Sequence, residues 1–100
     1  NSAESAALQA IRYQPRNIVY TINYLNIAKK TKSEIRFLSE LLSASKQFSN
    51  SPEITLSLAR AYDRNSRYRF KAKDYYTKFI TLAPNHPQRS EAEAAISRLP

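Results

Sequence analysis

The spacing Ala3-x3-Ala7-x2-Ala10-x4-Pro15 recurs as Ala72-x3-Tyr76-x2-Phe79-x4-Pro84, 69 residues further along the chain. Each instance sets side chains at i, i+4 and i+7, one face of a helix, and then a proline that ends it. Sixty-nine is close to two periods of about 34 residues, the length of a two-helix unit that stacks into arrays. The chain has no glycine. Tight hairpin turns favour residues that tolerate positive φ, so strands joined by short turns are disfavoured. Together these features predict an all-α fold.

Hydrophobic periodicity and punctuation divide the 100 residues into six expected helices in one domain. The first covers 2–13 and stops before Pro15. The second, 17–30, carries Ile18, Ile22, Leu25 and Ala28 on one face. The third, 34–48, begins after a Ser33 cap and buries Phe37, Leu38, Leu41 and Leu42. Ser49-Asn50-Ser51-Pro52 is the sharpest boundary, because Ser51 caps, Pro52 fits the first helical position and Glu53 suits the positive helix end. The fourth helix runs over 52–64, the fifth over 68–82 and the last over 87–98. Connections this short imply antiparallel neighbours.

Residues 52–86 resemble the tetratricopeptide repeat. They read Thr55-x2-Leu58-Ala59-x2-Tyr62, then Ala72-x3-Tyr76-x2-Phe79-x4-Pro84. They depart from the family pattern at Thr55, where a tryptophan is typical, and by one extra residue between the helices. Residues 18–51 keep the frame with different identities: Tyr24-Leu25 and Ala28 in the first helix, then Phe37, Leu41, Ala44 and Ser49. Residues 1–17 resemble the second half of a preceding repeat, and 87–100 the first helix of a following one. The resemblance implies a right-handed array of helix pairs whose first helices line a concave groove. It also implies that Tyr24, Tyr62 and Tyr76 are core residues, leaving Tyr13, Tyr20, Tyr68 and Tyr75 as the aromatics open to a ligand. Both ends being half-repeats, the apolar faces of the first helix (Ala7, Leu8, Ile11) and the last (Ala92, Ile96, Leu99) are expected to stack on further repeats or on another copy. The absence of methionine leads to the same expectation, a segment of a larger protein.

The composition leaves little for catalysis. Without cysteine or glycine there is no thiol chemistry and no phosphate-cradling loop. His86 is the only histidine and sits between Pro84 and Pro87, where a surface or helix-end role is expected. The eight acidic residues are scattered, mostly in first turns or beside cations. The expectation is a non-enzymatic protein with no cofactor and no metal, a binding module or scaffold. No run is long and apolar enough for a membrane span.

Sixteen Lys and Arg against eight Asp and Glu give a net charge of +8. This favours an acidic partner. Lys29, Lys30 and Lys32 lie in one inter-helix turn, and Arg64, Arg67, Arg69, Lys71 and Lys73 in and after the equivalent turn of the next unit. Stacking in register brings such turns to one edge. A solvated basic edge and a docking surface both fit this pattern. The groove implied by the resemblance exposes Asn23, Asn26, Lys30, Ser57, Arg60 and Arg64, with amides to bond a peptide backbone and arginines to clamp carboxylates. Relatives that hold the C-terminal carboxylate of heat-shock chaperones use a fixed set of Lys, Asn and Arg. Only Asn23 stands at a matching place here, with Val19, Glu53, Ser57, Gln88 and Ala92 at the others, so that clamp is rejected. The expected partner is an acidic protein segment. The alternatives are a nucleic acid on the basic edge or a structural stacking role. The nucleic-acid alternative lacks an exposed aromatic and basic interleaving; Tyr68-Arg69-Phe70-Lys71 comes closest, with Phe70 expected to be half-buried.

Overall fold

A computed structural model describes residues 2–100 as an all-α protein. Asn1, the first residue of the expected half-repeat, lies outside the described residues. The helices are α1 (Ser2–Tyr13), α2 (Ile18–Thr31), α3 (Glu34–Gln47), α4 (Pro52–Arg64), α5 (Ala72–Leu82) and α6 (Arg89–Arg98), with a 3-10 turn at Arg69–Lys71 before α5. Three starts are set by side-chain caps. Asn17, Ser33 and Ser51 accept hydrogen bonds from the backbone N–H groups of Val19, Arg36 and Ile54 at 3.0, 3.3 and 3.3 Å.

Among the described residues α5 and α6 begin without a side-chain cap, and their starts depart most from those expected. No side chain caps α5, and the chain from Arg64 tightens through a turn at Asn65, whose Oδ1 accepts from the Arg67 N–H, into the 3-10 segment. The helix expected from 68 therefore starts at Ala72. Likewise α6 begins at Arg89 and not at 87, because Pro87 lies in a turn where His86 Nδ1 accepts from the Gln88 N–H.

Each helix packs chiefly on its neighbours in the chain, giving a slab of 40 × 28 × 20 Å. Side-chain bridges reveal the direction of each layer. Glu4 near the start of α1 meets Lys32 just past the end of α2 at 3.0 Å, as antiparallel neighbours must. Gln47 at the end of α3 donates to the Pro15 carbonyl at 2.7 Å, so the α1–α2 and α3–α4 turns share one edge. Arg60 and Asp63 of α4 pair with Glu91 and Arg98 of α6, so these two helices run parallel.

The core runs through all layers. Phe79, Leu41, Ile54 and Leu58 are its largest fully enclosed side chains. Ala28, Ala59, Ala72 and Ala92 have no exposed surface at all, and a methyl at these places lets helices approach closely. Of the two terminal apolar faces, that of α6 buries Ala92, Ala95 and Leu99, whereas α1 buries Ala7 alone and leaves Leu8 exposed. No helix is long and apolar enough to cross a membrane.

Candidate binding surface

The α2–α3 turn and the end of α4 meet at one edge. Lys29, Lys32, Glu34, Phe37 and Arg64 line a hollow of about 170 Å³ there. Lys32 is partly neutralised by Glu4, and that lysine is the main reason the Glu4 carboxyl is held below its ordinary range. Lys29, Lys30 and Arg64 are exposed and take part in no ion pair among the described residues. Arg64 also faces a second, larger hollow of about 410 Å³ with Asp63, Ser66, Arg69 and Arg98.

Asp63 organises that second hollow. Its carboxylate accepts from Arg98 Nη2 at 2.6 Å and Nη1 at 3.2 Å, from the Tyr76 hydroxyl at 3.0 Å and from Arg69 Nε at 3.3 Å. Arg98, Tyr76 and Arg69 stabilise the charged form against partial burial, so the carboxyl titrates below its usual range. The Tyr76 phenol is pushed up to about 12, first by burial and then by its bond to this anion. Arg69, one of the expected edge cations, is thus committed to an internal partner. Nothing in local sequence announces the Asp63–Arg98 pair, whose members stand 35 residues apart. The separation is close to the expected period of about 34 residues, and in the structure it sets the two charges side by side on α4 and α6.

The groove residues divide in the same way. Asn23, Asn26 and Lys30 form an exposed stripe along α2 at i, i+3 and i+7. Ser57 is half-buried on α4. Arg60 is engaged, donating from Nε at 2.8 Å and from Nη2 at 2.6 Å to the two oxygens of Glu91. This bidentate pair raises the guanidinium's affinity for its proton and lowers the Glu91 carboxyl. Arg60 therefore ties α4 to α6, while Arg64, one turn on, points to the edge.

Aromatic residues gather beside the 3-10 turn. Tyr62 stacks on Tyr75 with centroids 5.4 Å apart and meets Tyr68 edge-on at 6.5 Å. Lys71 Nζ lies 5.7 to 6.0 Å from the centroids of Tyr62, Tyr68 and Phe70, and Arg67 lies 5.8 Å over Tyr68. Tyr68 and Tyr75 are half-buried against the core, and Tyr13 is the most open aromatic. Phe70 is 68% exposed, not half-buried as expected. It belongs to the 3-10 turn and not to the first turn of a helix packed on α4. Lys73, the last of the expected edge cations, sits half-buried in the first turn of α5. His86 takes the helix-end place of its two expected roles, in the turn before α6, and is half-buried there, edge-on to Phe79 at 5.0 Å.

No family model, curated protein or solved structure matches this chain.

Proposed function

We propose that this chain is a non-catalytic, tetratricopeptide-type helical array that captures an acidic protein segment on its basic edge. One observation carries the reading. Two turns distant in sequence bring Lys29, Lys32 and Arg64 around Phe37, with Glu34 as the only acid in the hollow. Two segments distant in sequence supply these three cations, and two of the three take part in no ion pair among the described residues. Held together on a rigid scaffold, they create a positive potential that speeds encounter with an anionic partner and sets its register. The exposed stripe of Asn23, Asn26 and Lys30 leads to the same edge and offers amides to an extended backbone. Arg60 contributes by fixing α6 to α4, and Ser57 stands beside it.

The test is titration of a fluorescein-labelled poly-glutamate peptide against the parent and the double variant Lys29→Glu/Arg64→Glu. Affinity should fall at least roughly tenfold while the helical circular dichroism stays unchanged. Equal affinity for both proteins would refute the edge.

A second reading has an observation of its own. The exposure of Phe70 provides the feature that a single-stranded nucleic-acid site requires, an open aromatic flanked by Arg69 and Lys71. It predicts oligonucleotide binding that persists at physiological salt and that Phe70→Ala weakens. Binding that vanishes with added salt and ignores Phe70→Ala is charge attraction alone.

A further inference from the structure

α3 and the segment at the 3-10 turn both pack on α4 and line a groove of about 300 Å³. Leu38 and Leu42 of α3 form one wall and Tyr68 the other, with Tyr62 of α4 at the floor. Ser39 and Lys71 also line it, and Ile35, 59% exposed, forms the rim. We propose that this groove seats one apolar side chain of an acidic partner segment, and that Lys71 meets the carboxylate next to it. The inference rests on the protein-partner reading above and adds a second contact that selects for sequence.

Three observations choose this occupant. The lining is aliphatic and aromatic, and Ser39 supplies its only hydroxyl group besides the two tyrosine phenols, which suits a hydrocarbon side chain better than a base read by its hydrogen-bonding edges. The site is concave with the tyrosine at its floor, a shape that receives a protruding group and not a flat bilayer. Lys71 pairs with no carboxylate among the described residues, yet its ammonium is held at the mouth over the rings of Tyr62 and Tyr68. Charge complementarity then calls for an acid beside the apolar anchor.

The experiment compares two fluorescein-labelled peptides, one with a leucine flanked by aspartates and one with alanine in its place. It follows ¹³C-methyl resonances of Ile35, Leu38 and Leu42 in the intact chain. The leucine peptide should shift these methyls saturably and bind roughly tenfold tighter than its alanine counterpart. Ser39→Phe, a change at an exposed position that fills the groove, should erase both the shifts and the leucine preference. Lys71→Gln should weaken both peptides and keep the preference. Lys29→Glu/Arg64→Glu should weaken both equally and leave the methyl shifts in place at saturation. Equal binding of the two peptides with silent methyls, still sensitive to the edge variant, would overturn the groove and leave the proposed function standing. Insensitivity to every variant would overturn both. Stronger shifts of the same methyls by a single-stranded oligonucleotide would also overturn the inference.

Discussion

Residues 18–51 and 52–86 each form a pair of helices and bury exchanged side-chain sizes at matching positions. In first helices, Leu25 and Ala28 of α2 stand 34 residues before Ala59 and Tyr62 of α4, so large-then-small becomes small-then-large. In second helices, Phe37, Leu41 and Ala44 stand 35 residues before Ala72, Tyr76 and Phe79, and the exchange recurs. All ten residues are buried. What the two units share is therefore which face is filled and how much, not which residue fills it. Cores tolerate such exchange when the total volume is kept, which explains why identity fades while the period survives. The surfaces differ more sharply. Asp63, hub of the α4–α6 network, stands 34 residues after Lys29, an exposed cation that takes part in no ion pair among the described residues. One turn is locked by an acid of its own helix, and the other is tied through Lys32 to Glu4 of α1 and keeps Lys29 exposed.

The exchange of volumes is testable in one double-mutant cycle. Tyr62→Ala should cost about 3–5 kcal/mol in a thermal or urea melt, since it removes a buried ring. Ala59→Leu alone should cost about 1–3 kcal/mol by overpacking. The double variant writes the first unit's order into the second, and it should cost clearly less than the sum. Strict additivity would break the volume-exchange account.

Next in size is the alkaline limb. Each unit buries one tyrosine with a pKa of about 12: Tyr24, raised by burial and then by Glu40, and Tyr76, raised by burial and then by Asp63. A raised folded-state pKa means that the neutral phenol is favoured by folding. That stability is complete below the ordinary value of about 10 and is lost as pH climbs from about 10 to about 12. Tyr76→Phe and Tyr24→Phe should each reduce the steepness of unfolding across this window. An unchanged alkaline profile in both would show that neither phenol is linked to folding.

The smallest effect is expected on the acid side, where the two turns can be compared directly. The Asp63 and Glu4 carboxyls are both held low, so their stabilisation is present above about pH 4 and is lost as pH falls through the lowered values. Asp63 accepts from three donor residues and is partly buried, whereas Lys32 is the foremost partner of the Glu4 carboxyl, so Asp63→Asn should change the acid limb more than Glu4→Gln. Hydrogen exchange should also show α6 fraying in Asp63→Asn. Equal effects of the two variants would mean that the hub adds nothing beyond a surface pair.

Much of the fold was legible without coordinates. Periodicity, the capping residues Ser33 and Ser51, and the punctuating prolines act through the few residues around them, so the six helices and the bounds of α4 could be read locally. The starts of α5 and α6 could not, because no side chain caps either helix and the preceding turns are shaped by Asn65 and His86. For the surface, sequence identified which residues carry charge, and the period led to the expectation of two basic turns on one edge, of which the structure brings Lys29, Lys32 and Arg64 to one hollow. Only the tertiary structure decided which of those charges remain available. Arg60 and Arg69 are taken by Glu91 and Asp63, while Lys29, Lys30 and Arg64 take part in no ion pair among the described residues. The physical reason is range. A helix is fixed by bonds within four residues, whereas an ion pair or an exposed ring depends on groups that only the stacking of layers brings within a few ångströms.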